Sequence, residues 1–394
     1  MKTIEQMIQE MCPEGVEFVK LGDCLDYEQP TKYIITSKDY TIEGTPVLTA
    51  GQTLILGYTD EETGIFESNN DNPVIIFDDF TTSFHWVTFN FKVKSSAMKM
   101  LRPKRSDISF RYIYYAMKCI KYETLEHSRQ WISKYSNFEI PLPPLEIQNE
   151  IVRILDKFTT LEAELEAELD CRKRQYEYYR DKLLTFNKIG GGTQGIKWMK
   201  MSEIGTFTRG NGLQKKDFTE EGVGCIHYGQ IYTHYKTYAY KTLTKCSKEL
   251  ASRLKKARKN DIIIATTSEN VEDVCKALVW KGEEEVAISG DAYIFTHNQY
   301  SNYIIHFFKS HQFLLYKKKK STGTKVIRMS RESIGEFEIP IPPLSEQKRI
   351  ADILDRFERL TNDLQEGLPA EIEARRQQYE YYRDKLLTFK RKVA

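Results

Sequence analysis

Cysteine is sparse and unpatterned in this chain: seven Cys among 394 residues, an odd count with no C-x-x-C pair. That argues against a disulfide framework and a structural zinc site, and fits a reduced compartment such as the cytoplasm. No stretch approaches the roughly 18 consecutive apolar residues that a membrane-spanning helix needs. The opening segment, MKTIEQMIQEM, lacks an apolar signal core and reads as a short helix. Catalytic signatures are missing too. There is no GxxxxGK[ST] phosphate loop, no HExxH, no GxSxG and no serine or cysteine triad signature. An adenine-N6 methyltransferase would show an Asx-Pro-Pro-aromatic tetrapeptide, whereas the Pro-Pro pairs here stand in Leu-Pro-Pro-Leu and Ile-Pro-Pro-Leu. Gly190, Gly191 and Gly192 follow a helix pattern rather than a strand, which favours a linker over a cofactor loop. Asp78 and Asp79 have no third carboxylate nearby, so a turn is preferred over a metal pair. The seven His are scattered singly. No catalytic, cofactor-binding or metal-binding residue is assigned.

What the chain does have is a duplication. The string QYEYYRDKLLTF occurs at residues 175–186 and again at 378–389. Each copy closes a longer shared block that opens with IPLPPL at residues 140–145 and IPIPPL at 339–344. Within it Gln148 matches Gln347, Ile151 matches Ile350, and Ile154-Leu155-Asp156 matches Ile353-Leu354-Asp355. The plan is globular segment, proline-rich hinge, long helix, used twice. The openings of the two halves echo each other weakly, GVEFVKL at 15–21 against GIKWMKM at 195–201. The inserts themselves show no obvious repetition.

The expected fold is α+β: two α/β globular domains separated by two long antiparallel coiled-coil helices, a pseudo-twofold internal repeat. The domains are 1–144 and 197–343, the helices 145–188 and 344–394, and a Gly-rich connector covers 189–196. Strands are predicted at 73–77, 86–93, 261–265 and 292–295, and short helices at 110–120 and about 303–313. Ile151, Leu155, Phe158, Leu161, Leu165, Leu169, Tyr176, Tyr179 and Leu183 form a 3–4 spaced seam broken by Arg172. Ile350, Leu354, Phe357, Leu360, Leu364, Leu368, Ile372, Tyr379, Tyr382 and Leu386 repeat it. At 1.5 Å per residue each helix is roughly 60 Å long and must bury its stripe. Antiparallel pairing within one chain is preferred over parallel pairing in a homodimer, with Leu155, Phe158 and Leu165 expected against Leu364, Ile372 and Tyr379. The second helix has four extra residues, and Gly367 and Pro369 inside that insert should bend or break it.

The net charge of +2 hides a segregation. Residues 1–149 carry 15 Lys and Arg against 21 Asp and Glu (−6), and residues 197–348 carry 25 against 17 (+8). A basic second domain suits a polyanion. An acidic first domain must meet one through local patches. Candidate DNA-binding residues in the first domain are Lys92, Lys94, Arg102, Lys104, Arg105, Arg129, Gln130 and Lys134, with Lys99 among the same lysines. In the second they are Asn211, Gln214, Lys215, Lys216, Tyr228, Gln230, Tyr232, Thr267, Ser268, Asn270, Lys317, Lys318, Lys319, Lys320, Lys325 and Arg328. The run RLKKARK at 253–259 is a further basic cluster. Lys and Arg neutralise phosphates, and Asn, Gln and Arg make bidentate contacts to base edges. Identity at Tyr176, Tyr178, Arg180 and Asp181 with Tyr379, Tyr381, Arg383 and Asp384 exceeds what a coiled-coil seam requires. It marks either a shared partner-binding surface or mutual contact between the repeats.

The blocks IPLPPLEIQNEIVRILDKF and IPIPPLSEQKRIADILDRF, each with its QYEYYRDKLLTF, resemble the two conserved regions of specificity subunits of type I restriction–modification enzymes. VIIFDDFTTSFHWVTFNF and the IHYGQIYT run are similar to segments of that family's target-recognition domains. The resemblance implies that each domain binds one half of a bipartite asymmetric DNA site, with the helices as a ruler between the halves. It implies two partner modification subunits that methylate adenine with S-adenosylmethionine bound to them, and an ATP-driven restriction subunit that can join. The specificity subunit itself catalyses nothing and holds no cofactor. Two other readings stand beside it: a self-sufficient methyltransferase or nuclease fragment, and a coiled-coil scaffold without DNA contact.

Overall fold

The computed structural model describes residues 3–37, 39–49, 51, 53–124, 128–186, 196–363 and 366–392. The expected connector at 189–196, apart from its last residue, and the seam residue Leu364 lie outside the described residues. The chain divides into two compact units, Met1–Glu164 with Ile372–Ala394, and Leu165–Glu371. The divisions fall inside the helices, because each globular part is packed with its own stretch of both.

In the first unit the helix Ile4–Met11 is started by a capping box between Thr3 and Gln6. The strand Glu17–Lys20 pairs antiparallel with Glu139–Leu142. A one-turn helix, Leu21–Cys24, then leads into a four-stranded antiparallel sheet. Its order is Leu25–Glu28, Met98–Pro103, Val74–Asp78, Phe84–Val87. Val74, Ile75, Ile76 and Phe77 are all buried, as their continuous apolar run requires of a central strand. A smaller sheet holds Ile55–Thr59, Thr45–Leu48 and Lys92–Val93. The single strand expected at 86–93 is therefore two strands in two sheets. Between them Phe89 is exposed, and Phe91, bridged antiparallel to Phe66 and stacked on its ring at 5.0 Å, is buried. The chain's end returns to its beginning: Val16 N–H donates to Lys390 O at 2.9 Å. Gly15, at φ 102°, is required there, since a Cβ would lie 2.4 Å from that carbonyl oxygen.

The second unit repeats the scaffold. Lys197–Lys200 pairs with Glu338–Ile341, and Met201–Ile204 is the short helix that follows. The main sheet runs Gly205–Arg209, Ala292–His297, Ile262–Ala265, Ala277–Trp280, Tyr238–Ala239. Its register matches that of the first unit. The row Phe207–Phe295–Ile262 corresponds to Tyr27–Leu101–Ile75. A second five-stranded sheet is built around Val223–Ile226 and Val286–Ile288. The short helices expected in the two halves are Phe110–Met117 in the first and Ser301–Phe307 with His311–Lys320 in the second.

The first long helix is Leu145–Leu184, beginning directly after Pro143-Pro144, as proline's fixed φ favours. The second is interrupted as expected: Leu344–Asn362 and Leu368–Leu386 flank the insert that carries Gly367. The helices pair antiparallel within the chain. In the first unit the Phe158 and Tyr382 rings stack at 5.5 Å, and one turn further Arg376 Nε donates to Glu162 Oε1 at 2.9 Å. In the second unit Tyr179 stacks on Phe357 at 5.7 Å. Ile151, Leu155, Tyr379 and Leu386 share one core, and Tyr176, Leu184, Ile350 and Leu354 share another. Of the expected pairs, Leu155 shares a core with Tyr379, whereas Leu165 belongs to the second unit and Ile372 and Tyr379 to the first. Leu161 and Leu360, seam positions by spacing, stay exposed. Truncation should follow this split. Leu155→Ala or Leu354→Ala is expected to cost about 2–5 kcal/mol in urea unfolding, and Leu161→Ala no more than about 0.5 kcal/mol. Equal losses at all three positions would contradict the packing.

Candidate nucleic-acid interface

Each globular part is fastened to its helix by the same two repeated side chains. Gln148 Nε2 donates to Pro143 O at 2.8 Å while its Oε1 accepts from Ser109 N–H at 2.9 Å, just before the helix Phe110–Met117. Gln347 does the same with Pro342 O at 2.8 Å and Tyr300 N–H at 3.1 Å, just before Ser301–Phe307. An amide donates and accepts at once through two separate atoms without carrying charge, which suits this buried place. Eight residues, about two helical turns, further along stand the repeated aspartates. Asp156 accepts from Arg111 Nε at 2.9 Å and from the Tyr115 hydroxyl. Asp355 accepts from Asn302 Nδ2 at 3.0 Å, His306 Nε2 at 2.9 Å and the Tyr238 hydroxyl. Arg111 and Tyr115, like Asn302 and His306, lie four apart on the domain's helix and so share one face.

Burial would raise the Asp355 carboxyl. The His306 ring, the Tyr238 hydroxyl and the Asn302 amide overcome it and hold the group below the ordinary carboxylate range. Its contribution to stability is present above the ordinary carboxylate pKa of about 4 and is lost as pH falls through the lower folded value. Asp355→Asn should therefore destabilise the chain by about 2 kcal/mol at neutral pH, with the gap to wild type closing in acid. A gap that grows in acid would contradict this. Among the described residues, His306, Asp355 and Glu358 also place three possible ligand atoms within 4.8 Å of one another. Lys309 and Thr237 already bond to Glu358, so the group is an ion-pair network that ties the domain to the helix.

The structure sorts the candidate DNA-binding residues of the first unit. Lys92 is buried, donating to Thr63 O at 2.6 Å and pairing with Glu61 at 2.8 Å. It is chiefly Lys92, with Thr36, that holds the Glu61 carboxyl down at about 2. Lys99 is buried against Asp79 at 3.2 Å. Neither amine is available to a phosphate here, because each serves as the counter-ion of a carboxylate. Arg102 lies over the Phe66 ring at 5.0 Å and bonds Glu67 O at 3.1 Å. Lys104 bonds Gly22 O at 2.7 Å, and Arg105 pairs with Asp107 at 2.6 Å. Gln130 is buried and structural, taking the Tyr122 hydroxyl at 2.8 Å and donating to Ser128 O at 2.7 Å. Lys94, Arg129 and Lys134 are exposed. The expectation of a turn holds for Asp78, whose carboxylate takes the amides of Phe80 and Thr81 at 2.9 and 2.8 Å. Asp79 does more. Buried, it accepts from the amides of Gln130 and Trp131 at 3.1 and 2.8 Å and so pins the segment that carries Arg129. Nothing in its sequence setting sets it apart from Asp78.

In the second unit several side chains chosen as base readers instead hold backbone. Asn211 donates to Arg253 O at 3.0 Å and accepts from Lys255 N–H at 2.7 Å. Gln214 stands at the start of the turn Lys215–Asp217, its backbone N–H donating to Asp217 Oδ2 at 2.8 Å, and Lys215 and Lys216 on that turn are exposed. Gln230 accepts from His227 N–H at 2.9 Å and donates to Thr244 Oγ1 at 3.2 Å. Asn270 caps Asp273. Tyr228 is half-buried beside His227. The 253–259 cluster is largely matched by acids, Arg253 with Glu249, Arg258 with Glu285 and Lys259 with Glu283. Lys317 leaves the lysine run. Its ammonium is buried, donating to Glu272 O at 2.6 Å and Val274 O at 2.9 Å, and burial lowers its pKa.

Other candidates converge. Thr267 and Ser268 pair antiparallel with Arg328 and Ile327. Tyr232 donates its hydroxyl to Thr267 O at 3.0 Å. Thr322 and Arg328 close a tight hairpin that carries Lys325 and follows directly on the helix ending in Lys318, Lys319 and Lys320. These five cations are exposed and surround one two-stranded ribbon.

The repeated string divides into buried and open positions. Tyr176 and Tyr379 are buried, each with an arginine four residues on, Arg180 or Arg383, over its ring at 5.5 and 5.7 Å. Asp181 accepts from His311 N–H at 3.0 Å, and Asp384 lies 3.8 Å from Cys119 Sγ. These identities are used inside each unit. Tyr178 and Tyr381 are exposed, 60% and 63%, in matching edge-on contact with the next tyrosine.

Comparison with known proteins places this architecture. The family model described as type I restriction modification DNA specificity domain matches residues 13–170 and 194–374. A type I restriction enzyme specificity subunit of Escherichia coli is 42% identical over 387 residues, covering 95% of this chain and 94% of that protein. A putative one from Haemophilus influenzae is 30% identical over 275 residues, 67% of each. Among solved structures, the S subunit of a type I restriction–modification system from M. genitalium superimposes with a TM-score of 0.55 at 15% identity. It covers 95% of this chain and 96% of its own. A chain from a study of type I complex assembly and conformational transition gives 0.58 at 17% identity, covering 95% and 98%.

Proposed function

We propose that this chain, which belongs to the type I restriction–modification DNA specificity family, is the DNA-reading subunit of such an enzyme and carries one target-recognition domain for each half of a bipartite site. The domains are residues 1–144 and 197–343, the helices at 145–188 and 344–394 space them, and the connector at 189–196 leads from the first helix into the second domain. The observation that carries this reading is the pair of identical clamps, Gln148 with Asp156 and Gln347 with Asp355. They hold one sheet scaffold twice, while the side chains displayed on it differ. Such a device fixes position and leaves the read sequence free to vary. It supplies no reactive group of its own. Adenine methylation would fall to two modification subunits carrying S-adenosylmethionine, and translocation and cutting to restriction subunits, in the cytoplasm where host DNA lies. The exposed Tyr178 and Tyr381, alike on both repeats, suit two equivalent docking places.

The exposed lysines Lys318, Lys319 and Lys320, with Lys325, are assigned to phosphates. Changing Lys318, Lys319 and Lys320 together to Ala should flatten the plot of log affinity against log salt, by up to about 0.9 for each phosphate no longer neutralised. Specific and unrelated duplexes should weaken alike. An unchanged slope in the complex with modification subunits would remove this patch from the interface. Native mass spectrometry should count two modification subunits per chain, and Tyr178→Ala with Tyr381→Ala should lower that count. A single modification subunit on the wild-type chain would contradict the docking reading.

A further inference from the structure

The closely matched block opens at Phe138 and Phe337 in sequence, yet an arginine upstream of it also recurs. Arg129 stands 14 residues before Pro143, and Arg328 stands 14 before Pro342. The residue after each arginine makes an equivalent backbone bond. Gln130 N–H donates to Asp79 O at 2.8 Å, and Met329 N–H donates to Thr266 O at 3.2 Å. Asp79 and Thr266 are themselves equivalent, each the first residue past the central strand, Val74–Asp78 or Ile262–Ala265. Both arginines are exposed.

Their surroundings are not alike. In the first unit the position holds a buried ion pair, Asp79 with Lys99 at 3.2 Å, and Arg129 lies 3.6 Å from the same carboxylate. In the second unit the sheet register puts Thr266 where Asp79 is and Tyr293 where Lys99 is, so the pair is absent as a whole. The arginine therefore persists while the packing beneath it changes from ionic to neutral. A residue kept only for packing would have changed with its neighbours. We infer that Arg129 and Arg328 perform one shared task, a contact from each domain to the DNA phosphate backbone. The backbone is the element that two different half-sites have in common. A side chain that read bases would differ between domains that read different bases. Guanidinium geometry suits a phosphate, two parallel N–H groups meeting two oxygens.

This inference rests on the DNA-reading function proposed above. The test uses the full chain assembled with its modification subunits, and measures affinity for cognate, half-scrambled and unrelated duplexes across a potassium chloride series. Arg129→Gln and Arg328→Gln should each lower the salt slope by about 0.9 and the double variant by about twice that. All duplexes should weaken by a similar factor, so the preference for cognate DNA is kept. Arg→Lys at either position should restore the slope, because it restores the charge. Arg→Met serves as a second neutral variant should a Gln variant fail to assemble. Slopes unchanged in the neutral variants would overturn the inference and leave the function standing. So would a loss confined to duplexes carrying one intact half-site, since that is base readout. A wild-type assembly that binds no DNA, or binds all duplexes alike, would overturn the proposed function and this inference with it.

Discussion

The carboxylate of an aspartate on a long helix, received by a tyrosine or histidine and a second donor on a domain helix, is the contact on which the rest of this molecule depends. Asp156 and Asp355 make it once in each half. A domain that reads DNA must be held in a fixed register to whatever acts on the DNA. Apolar packing alone does not supply that, because it tolerates sliding. A charge-assisted hydrogen-bond set, half-buried at Asp156 and largely buried at Asp355, together with the glutamine clamp specifies one seating. The donors are free to change as the domain changes: Arg111 and Tyr115 in one half, Asn302, His306 and Tyr238 in the other. The acceptor on the helix does not change.

That asymmetry explains the pattern of identity in the chain. What faces every domain equally, the helix side, keeps the clamping glutamine and aspartate and the Ile151/Ile350 and Leu155/Leu354 core positions in both repeats. What faces one domain or one target is not. The twelve-residue string obeys the same rule, since its buried tyrosines and their arginines close equivalent cores in the two units. The tyrosines at 178 and 381 are repeated without being buried, which is why they are proposed as the docking surface.

Much of this was legible in the sequence, for reasons that can be named. The seam of leucines and tyrosines has a period only a helix satisfies. Gly367 is a poor helix former and Pro369 is tolerated only in a first turn, where the helix Leu368–Leu386 places it, and runs such as Val74–Asp78 read as buried strands because they lack polar alternation. Beyond the echo of 15–21 in 195–201, the repetition of the domain scaffold was not legible. Tyr27 and Phe207 are 180 residues apart, Ile75 and Ile262 187, Leu101 and Phe295 194, and Gln148 and Gln347 199. Insertions between strands shift the offset each time, so no fixed-period comparison finds it. Charge was the least readable property. Lys92, Lys99 and Lys317 look like surface cations and are buried counter-ions or donors to carbonyls. Asn211, Gln230 and Asn270 look like base readers and hold backbone instead. A polar side chain's duty is set by what the fold brings within 3 Å of it, and composition carries no record of that.

The central claim is that two domains, seated alike and surfaced differently, each read one half of a divided site. Mapping modified adenines across the genome of a host that expresses this chain with its modification subunits tests it most directly. The account predicts a motif in two unlike halves at one fixed separation, with a modified adenine in each half. A single uninterrupted motif, or two identical halves, would contradict it.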